Sequence, residues 1–215
     1  MTADYHQLYE SIVSGNAKQA KAVTEEAIAA GADPQMLVND HMIPAMNFMG
    51  QRFESQECFV PELLISARAM KASLGLLRPL LAARGAEPVG RVAIGTVKGD
   101  LHDIGKNLVG AMLEGGGFEV VDLGTDVPAE KFIAAVKEKK VNVVGMSALL
   151  TTTMVSMKSV IEAFSNAGLR KQVKIIIGGA PITQQYADQI GADGFSNNAV
   201  GAVALARKLL ETPER

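Results

Sequence analysis

The hydrophobic rhythm of the chain changes once. Up to about residue 85, apolar positions recur at helical spacing. Tyr5–Val13 reads as one helix, stopped by Ser14-Gly15-Asn16, and Ala17–Ala30 as a second, stopped by Gly31. Asp33 is a good N-cap and Pro34 suits a first helical position, so a third helix opens there. Pro44 cannot continue it undisturbed, and a break or kink is expected. Pro61 opens the last helix of this half. In it Leu63, Ala67, Met70, Leu74, Leu77 and Leu81 recur at alternating steps of four and three, the spacing of one buried face. Short-looped helices with single apolar stripes predict a bundle. Ala82–Gly90, with Gly85, Pro88 and Gly90, breaks all periodicity and reads as a linker.

After Gly90, short apolar runs alternate with helical stretches. Strands are predicted at Arg91–Val97, Glu119–Leu123, Val141–Met146, Lys174–Ile177 and Gly194–Phe195. Helices are predicted at Ile104–Glu114, Ala129–Lys139, Thr153–Ala167, Ile182–Ile190 and Val200–Glu211. Such alternation means a parallel sheet with helices on both faces. The expected architecture is a helical bundle over 1–87, then a doubly wound, flavodoxin-like five-stranded α/β domain over 88–215. Ligands of such sheets sit beyond the carboxyl ends of the strands, at the switch point in strand order.

Composition narrows the function classes. Twenty-one basic residues against 23 acidic give a net charge of −2, without a basic block for nucleic acid. The single cysteine, Cys58, rules out an internal disulfide. With no signal-peptide pattern at the N-terminus, a reducing cytoplasm is the expected setting. No apolar run approaches the ~18–20 residues needed to span a bilayer.

Chemistry concentrates in the loop after the first strand, Gly95-Thr96-Val97-Lys98-Gly99-Asp100-Leu101-His102-Asp103-Ile104-Gly105. His102 stands between two aspartates at the expected ligand edge. Asp103 directly precedes a helix, so an N-cap is its expected role. Asp100 is then free to accept from one imidazole nitrogen, leaving the other for a metal. A histidine hydrogen-bonded for structure alone fits the loop equally well. No second His or Cys lies nearby, which disfavours zinc. A lone imidazole suits a metal that brings its own equatorial ligands, as a tetrapyrrole does. His6 and His41 sit in helical context without partners and read as structural. The nucleotide fingerprints Gly-x-Gly-x-x-Gly and Gly-x-x-x-x-Gly-Lys-Ser/Thr are absent from the loop, and Gly115-Gly116-Gly117 reads as a helix end.

Two further elements close the third and fourth strands: Ser147-Ala148-Leu149 with the following threonines, and Gly178-Gly179. Alone, each reads as helix capping or a turn. Together they form Asp-x-His-x-x-Gly, 41 residues, Ser-x-Leu, 28 residues, Gly-Gly. This pattern resembles the fingerprint of cobalamin-binding domains, matched by Asp100, His102, Gly105, Ser147, Leu149, Gly178 and Gly179. In the first half, Gly50-x-x-Phe53-Glu54 and Phe59-Val60-Pro61-Glu62-Leu63 resemble the cap bundle preceding that domain in methionine synthase. They also resemble the small corrinoid proteins of methanol, methylamine and aryl methyl ether demethylation. Ser55 stands where a glycine is common and Val60 where leucine is common. Thr153 replaces a serine of methionine synthase but keeps its hydroxyl.

The resemblance implies cobalamin bound base-off, with His102 as lower axial ligand of cobalt and Asp100 and Thr153 tuning it. Gly105, Ser147, Gly178 and Gly179 would line a channel for the nucleotide tail, with Thr151 near it. Phe59, Val60, Met49 and Leu64 would shield the methyl-bearing side, and Ala82–Gly90 would be the hinge. The chain shows no complete active site of its own. The implied role is a carrier of methyl groups on cobalt, loaded by a substrate-specific methyltransferase. A second methyltransferase, using tetrahydrofolate or coenzyme M, would unload it, and a reductive activase would rescue oxidised cobalt. A cobalamin-dependent sensor and a mutase subunit are the alternatives. No nucleic acid or membrane partner is expected.

Overall fold

The computed structural model describes residues 5–211. The chain divides into two compact units, Met1–Pro88 with Glu114–Gly117, and Val89–Leu113 with Phe118–Arg215.

The first unit is helical: α1 (His6–Val13), α2 (Ala17–Ala29), α3 (Pro34–Met36), α4 (Ile43–Glu54) and α5 (Val60–Ala83). Local chemistry sets the starts. The Asn16 side chain accepts from the Gln19 N–H at 3.1 Å, and Asp33 accepts from the Gln35 N–H at 3.3 Å. At α5 the Glu62 carboxylate reaches back to the Phe59 N–H at 2.6 Å. The predicted face of α5 is buried at Leu63, Ala67, Met70, Leu74 and Leu77. Pro79 lies inside α5, a position the apolar stripe passes over without marking.

Pro44 does not break the chain's helical course. A π-helical segment, Leu37–Met42, connects α3 to α4, and the Ile43 N–H bonds the Val38 carbonyl five residues back. Proline lacks an N–H, and its ring clashes with the carbonyl four residues earlier in an α-helix. The wider π turn immediately before Pro44 accommodates both, and Pro44 falls in the first turn of α4.

The second unit is the α/β domain: β1 (Arg91–Thr96), α6 (Ile104–Gly115), β2 (Glu119–Asp122), α7 (Ala129–Lys139), β3 (Val143–Ser147), α8 (Thr151–Asn166), β4 (Lys174–Gly178), α9 (Gln184–Ile190), β5 (Gly194–Phe195) and α10 (Ala199–Glu211). All five strands are parallel, in the order β2-β1-β3-β4-β5. This is the flavodoxin-like order, with its switch point between β1 and β3. In the register Ile94, Gly145 and Ile176 lie side by side, and Thr96, Ser147 and Gly178 lie two residues further on. Side chains alternate along a strand, so both rows share one face. The opposite face carries Ala93, Val144, Ile175 and Ile177 into a core with Phe132 of α7 and Phe164 of α8.

Two helix starts differ from the periodicity by two residues. α8 begins at Thr151, which places Thr153 inside its first turn. α9 begins at Gln184, because the Thr183 hydroxyl caps the Tyr186 N–H at 3.1 Å. Among the described residues no helix is long and apolar enough to cross a membrane.

Candidate functional site

At the switch point the loop after β1 meets the start of α8, and Asp100 joins them. Its carboxylate is fully buried. One oxygen, Oδ1, accepts the His102 backbone N–H at 3.0 Å and lies 2.7 Å from His102 Nδ1. The other, Oδ2, accepts the Leu149 N–H at 2.8 Å and the Thr153 hydroxyl at 2.7 Å. Burial pushes the Asp100 carboxyl up. The hydrogen bonds from Thr153, Leu149 and His102 outweigh it and hold the group well below the usual carboxylate range. Asp100 is therefore an anion, an acceptor only. His102 Nδ1 carries the shared proton, and in the neutral ring Nε2 keeps its lone pair. The ring is half exposed, at 52%.

The loop is held from several sides. Thr96 donates its hydroxyl to the His102 carbonyl at 2.8 Å, and the Ser156 hydroxyl donates to the Lys98 carbonyl at 3.2 Å. Asp126, after β2, accepts the Gly99 N–H at 2.7 Å and donates its own N–H to the Asp100 carbonyl at 2.9 Å. It does so at φ +51°, a conformation Asp tolerates better than most residues. Asp103 immediately precedes α6, and its carboxylate accepts the Asn107 side-chain amide at 3.0 Å.

Lys106 is the functional-looking residue that sequence reasoning missed. It is 3% exposed, with Nζ 2.6 and 2.7 Å from the two Asp122 oxygens and 2.6 Å from Asn107 Oδ1. The signal was there. Lys106 shares a helical row with Gly110 and Leu113, so its ammonium must find an acid under the helix. Asp122, at the end of β2, supplies it.

Gly105, Ser147, Gly178 and Gly179 line one cavity of about 130 Å³ in this unit. Their glycines are there for different reasons. A Cβ on Gly179 would stand 1.9 Å from the Ala148 carbonyl oxygen, and its φ is +130°, so the backbone itself demands glycine. A Cβ on Gly178 would lie 3.0 Å from the Ser196 carbonyl oxygen. Gly105 meets nothing within 4 Å, so the space beside it is open. Leu101 (73% exposed), Ile104 (77%), Leu149 (43%) and Leu150 (44%) form an apolar rim on the loops and helix start that follow β1 and β3. Thr151 is exposed in the same segment. Exposed apolar groups gathered at a ligand edge mark a binding surface.

Of the shielding candidates, Phe59 is 67% exposed, whereas Val60 and Leu64 are partly buried. Met49 lies deeper than these three. It is 1% exposed and belongs to the buried set of α4, because Ala45, Met46 and Met49 share one face of that helix. Its carbonyl accepts from the Cys58 thiol at 3.7 Å.

Residues 90–204 match the family model of the B12 binding domain, and residues 5–78 match a second B12 binding domain model. A trimethylamine corrinoid protein of Methanosarcina barkeri is 43% identical over 203 residues, covering 94% of each chain. The chain belongs to the B12-binding corrinoid proteins. This corrinoid protein is also 43% identical over 206 residues to a dimethylamine corrinoid protein of Methanosarcina barkeri, covering 95% of this chain and 96% of that one. Among solved structures it resembles the methanol:cobalamin methyltransferase complex of Methanosarcina barkeri. The TM-score is 0.86 at 30% identity, over 98% of this chain and 81% of that one.

The residues present fit such a cofactor. Among the described residues no three His, Cys, Asp or Glu side chains cluster to hold a bare metal ion. The donor set is one imidazole with Nδ1 engaged and Nε2 open. That matches a cobalt already ringed by a corrin, with an apolar rim beside it and a cavity whose Gly105 side is open.

Proposed function

We propose that this corrinoid protein carries methyl groups for a methylamine-type methyltransferase system, with the corrinoid held base-off and His102 as lower axial ligand. The corrin's cobalt supplies the methyl-accepting centre. The chain's own residues supply the grip. Asp100 orients the imidazole and keeps the Nδ1 proton in place, and Thr153 and the Leu149 N–H keep Asp100 anionic. The cavity lined by Gly105, Ser147, Gly178 and Gly179 receives the nucleotide tail, and Leu149, Thr151 and Asp103 contribute from the segments that follow β3 and β1.

The donor class is proposed from the trimethylamine and dimethylamine corrinoid relatives. A substrate-specific methyltransferase loads the carrier. An acceptor-specific one, using tetrahydrofolate or coenzyme M, unloads it, and a reductive activase restores oxidised cobalt.

The observation that carries this reading is the 2.7 Å contact between His102 Nδ1 and the buried Asp100. The test is the absorption spectrum of the cobalamin-loaded chain and of His102→Ala. Loss of the nitrogen-ligated spectrum in the variant supports it. An unchanged axial-ligand spectrum refutes it.

A further inference from the structure

The cavity has a floor that the cobalamin fingerprint does not include. Ile94, Gly145 and Ile176 lie side by side on β1, β3 and β4, facing the same way, and all three line the cavity. Ser147 and Gly178 stand one pleat nearer the carboxyl edge, so this row is the deeper one. Leu108 and Leu113 of α6 and Ala202 of α10 complete its walls. Polar side chains lining the cavity are confined to the strand ends and the segment after β5: Ser147, Ser196, Asn197 and Asn198.

Gly145 sits between two isoleucines that are 3% and 5% exposed. A Cβ there would approach Ile94 Cγ1 to 3.3 Å, with two further Ile94 carbons at 3.7 Å. The fold tolerates that contact with a small shift, so the backbone does not demand glycine here as it does at Gly179. What glycine leaves is room between the two side chains.

We propose that the Ile94–Gly145–Ile176 row is the specificity floor of this cavity. It receives the terminal base of the corrinoid's nucleotide tail and selects a flat, apolar base of the benzimidazole class over a purine. Gly145 is the position that keeps the slot deep enough. This rests on the reading that the cavity takes the tail. The selection follows from desolvation. The ring nitrogens and amine of a purine would give up water against isoleucine and leucine, which offer no donor or acceptor in return. A benzimidazole presents mostly hydrocarbon to the same walls and gains from their burial.

Three probes test it on the full-length apo chain, by equilibrium binding followed by absorbance: cobalamin with its dimethylbenzimidazole tail, the analogue with an adenine tail, and cobinamide, which has no tail. The wild type should bind the benzimidazole form about tenfold or more tighter than the adenine form. Gly145→Ala should weaken benzimidazole cobalamin by about tenfold, the scale of one added carbon in a packed site, and leave cobinamide unchanged. Ile176→Ala, which adds no bulk, should narrow the preference for benzimidazole over adenine and also leave cobinamide unchanged. Circular dichroism melts establish that the variants are folded, and Ile176→Ala with the wild-type preference decides the matter if Gly145→Ala is not. Equal or tighter wild-type binding of the adenine form overturns the proposal. So does a loss of cobinamide affinity as large as the loss for cobalamin. A wild type that binds all three alike leaves the corrinoid carrier standing and removes only the floor, whereas one that binds none removes both.

Discussion

Thr153 Oγ1 lies 2.7 Å from Asp100 Oδ2, the oxygen that His102 does not use. One buried carboxylate thus serves a histidine ring on one side and a helix start on the other. The hydroxyl also lies 3.0 Å from the Leu150 carbonyl, but it has one proton, and the charged acceptor is the closer. Thr153→Val keeps the shape and removes the donor. Unfolding of the apo chain should show a loss of about 1–3 kcal/mol, the scale of a lost hydrogen bond to a buried charge. Thr153→Ser should recover most of it.

The same carboxylate gives acid stability a definite sign. Asp100 holds its proton less tightly in the folded chain than its ordinary value of 3.8. The unfolded state therefore binds more protons in that window, and stability rises with pH there. The contribution is present above the ordinary carboxylate value and is lost as pH falls below it. Melts of the apo chain from pH 6 downward should show this loss, and Asp100→Asn should flatten the dependence while lowering stability at pH 6.

Lys106 and Asp122 form a one-sided pair: the ammonium is buried, and the carboxylate is 53% exposed. Removing the acid leaves a charge under α6, whereas removing the base leaves an acid that water can reach. Asp122→Ala should therefore cost more than Lys106→Met, by about 1–2 kcal/mol in denaturant unfolding. The double variant should lose less than Asp122→Ala alone, and it should fall below Lys106→Met by what the Gly124 N–H loses with its Asp122 acceptor.

The cavity glycines should separate folding from binding. Gly179→Ala meets the Ala148 carbonyl and a positive φ, so it should lose cooperative unfolding or melt far below the wild type. Gly105→Ala has open space around it and should melt like the wild type within about 1 kcal/mol. It should nonetheless bind cobalamin more weakly, which titration by absorbance measures.

How far the sequence carried depended on whether a feature was local. Strand-helix alternation located the sheet because each strand announces itself by a short apolar run. The Asp100–His102 contact was readable because the two residues are neighbours in one loop. Lys106 with Asp122 was not, because the sequence does not say which acid lies under a helix. Asp126 was hidden for a similar reason: its grip on Gly99 and Asp100 depends on a left-handed turn that composition leaves open. Pro44 announced a disturbance but not its form, since a kink and a π turn both answer a missing N–H. Met49 and Phe59 read alike as apolar residues near a motif, and only packing buried one and exposed the other.

The imidazole of His102, and not the cofactor's own base, is expected to face the cobalt. Electron paramagnetic resonance of the cobalt(II) form, prepared with unlabelled cobalamin in protein grown on ¹⁵N-histidine, tests it directly. Nitrogen-14 splits each cobalt line into a triplet and nitrogen-15 into a doublet. Labelling the protein's histidine should convert triplets to doublets, and His102→Ala should abolish that splitting. Triplets that persist in the labelled protein would mean that the axial nitrogen comes from elsewhere, and the account of this site would be wrong.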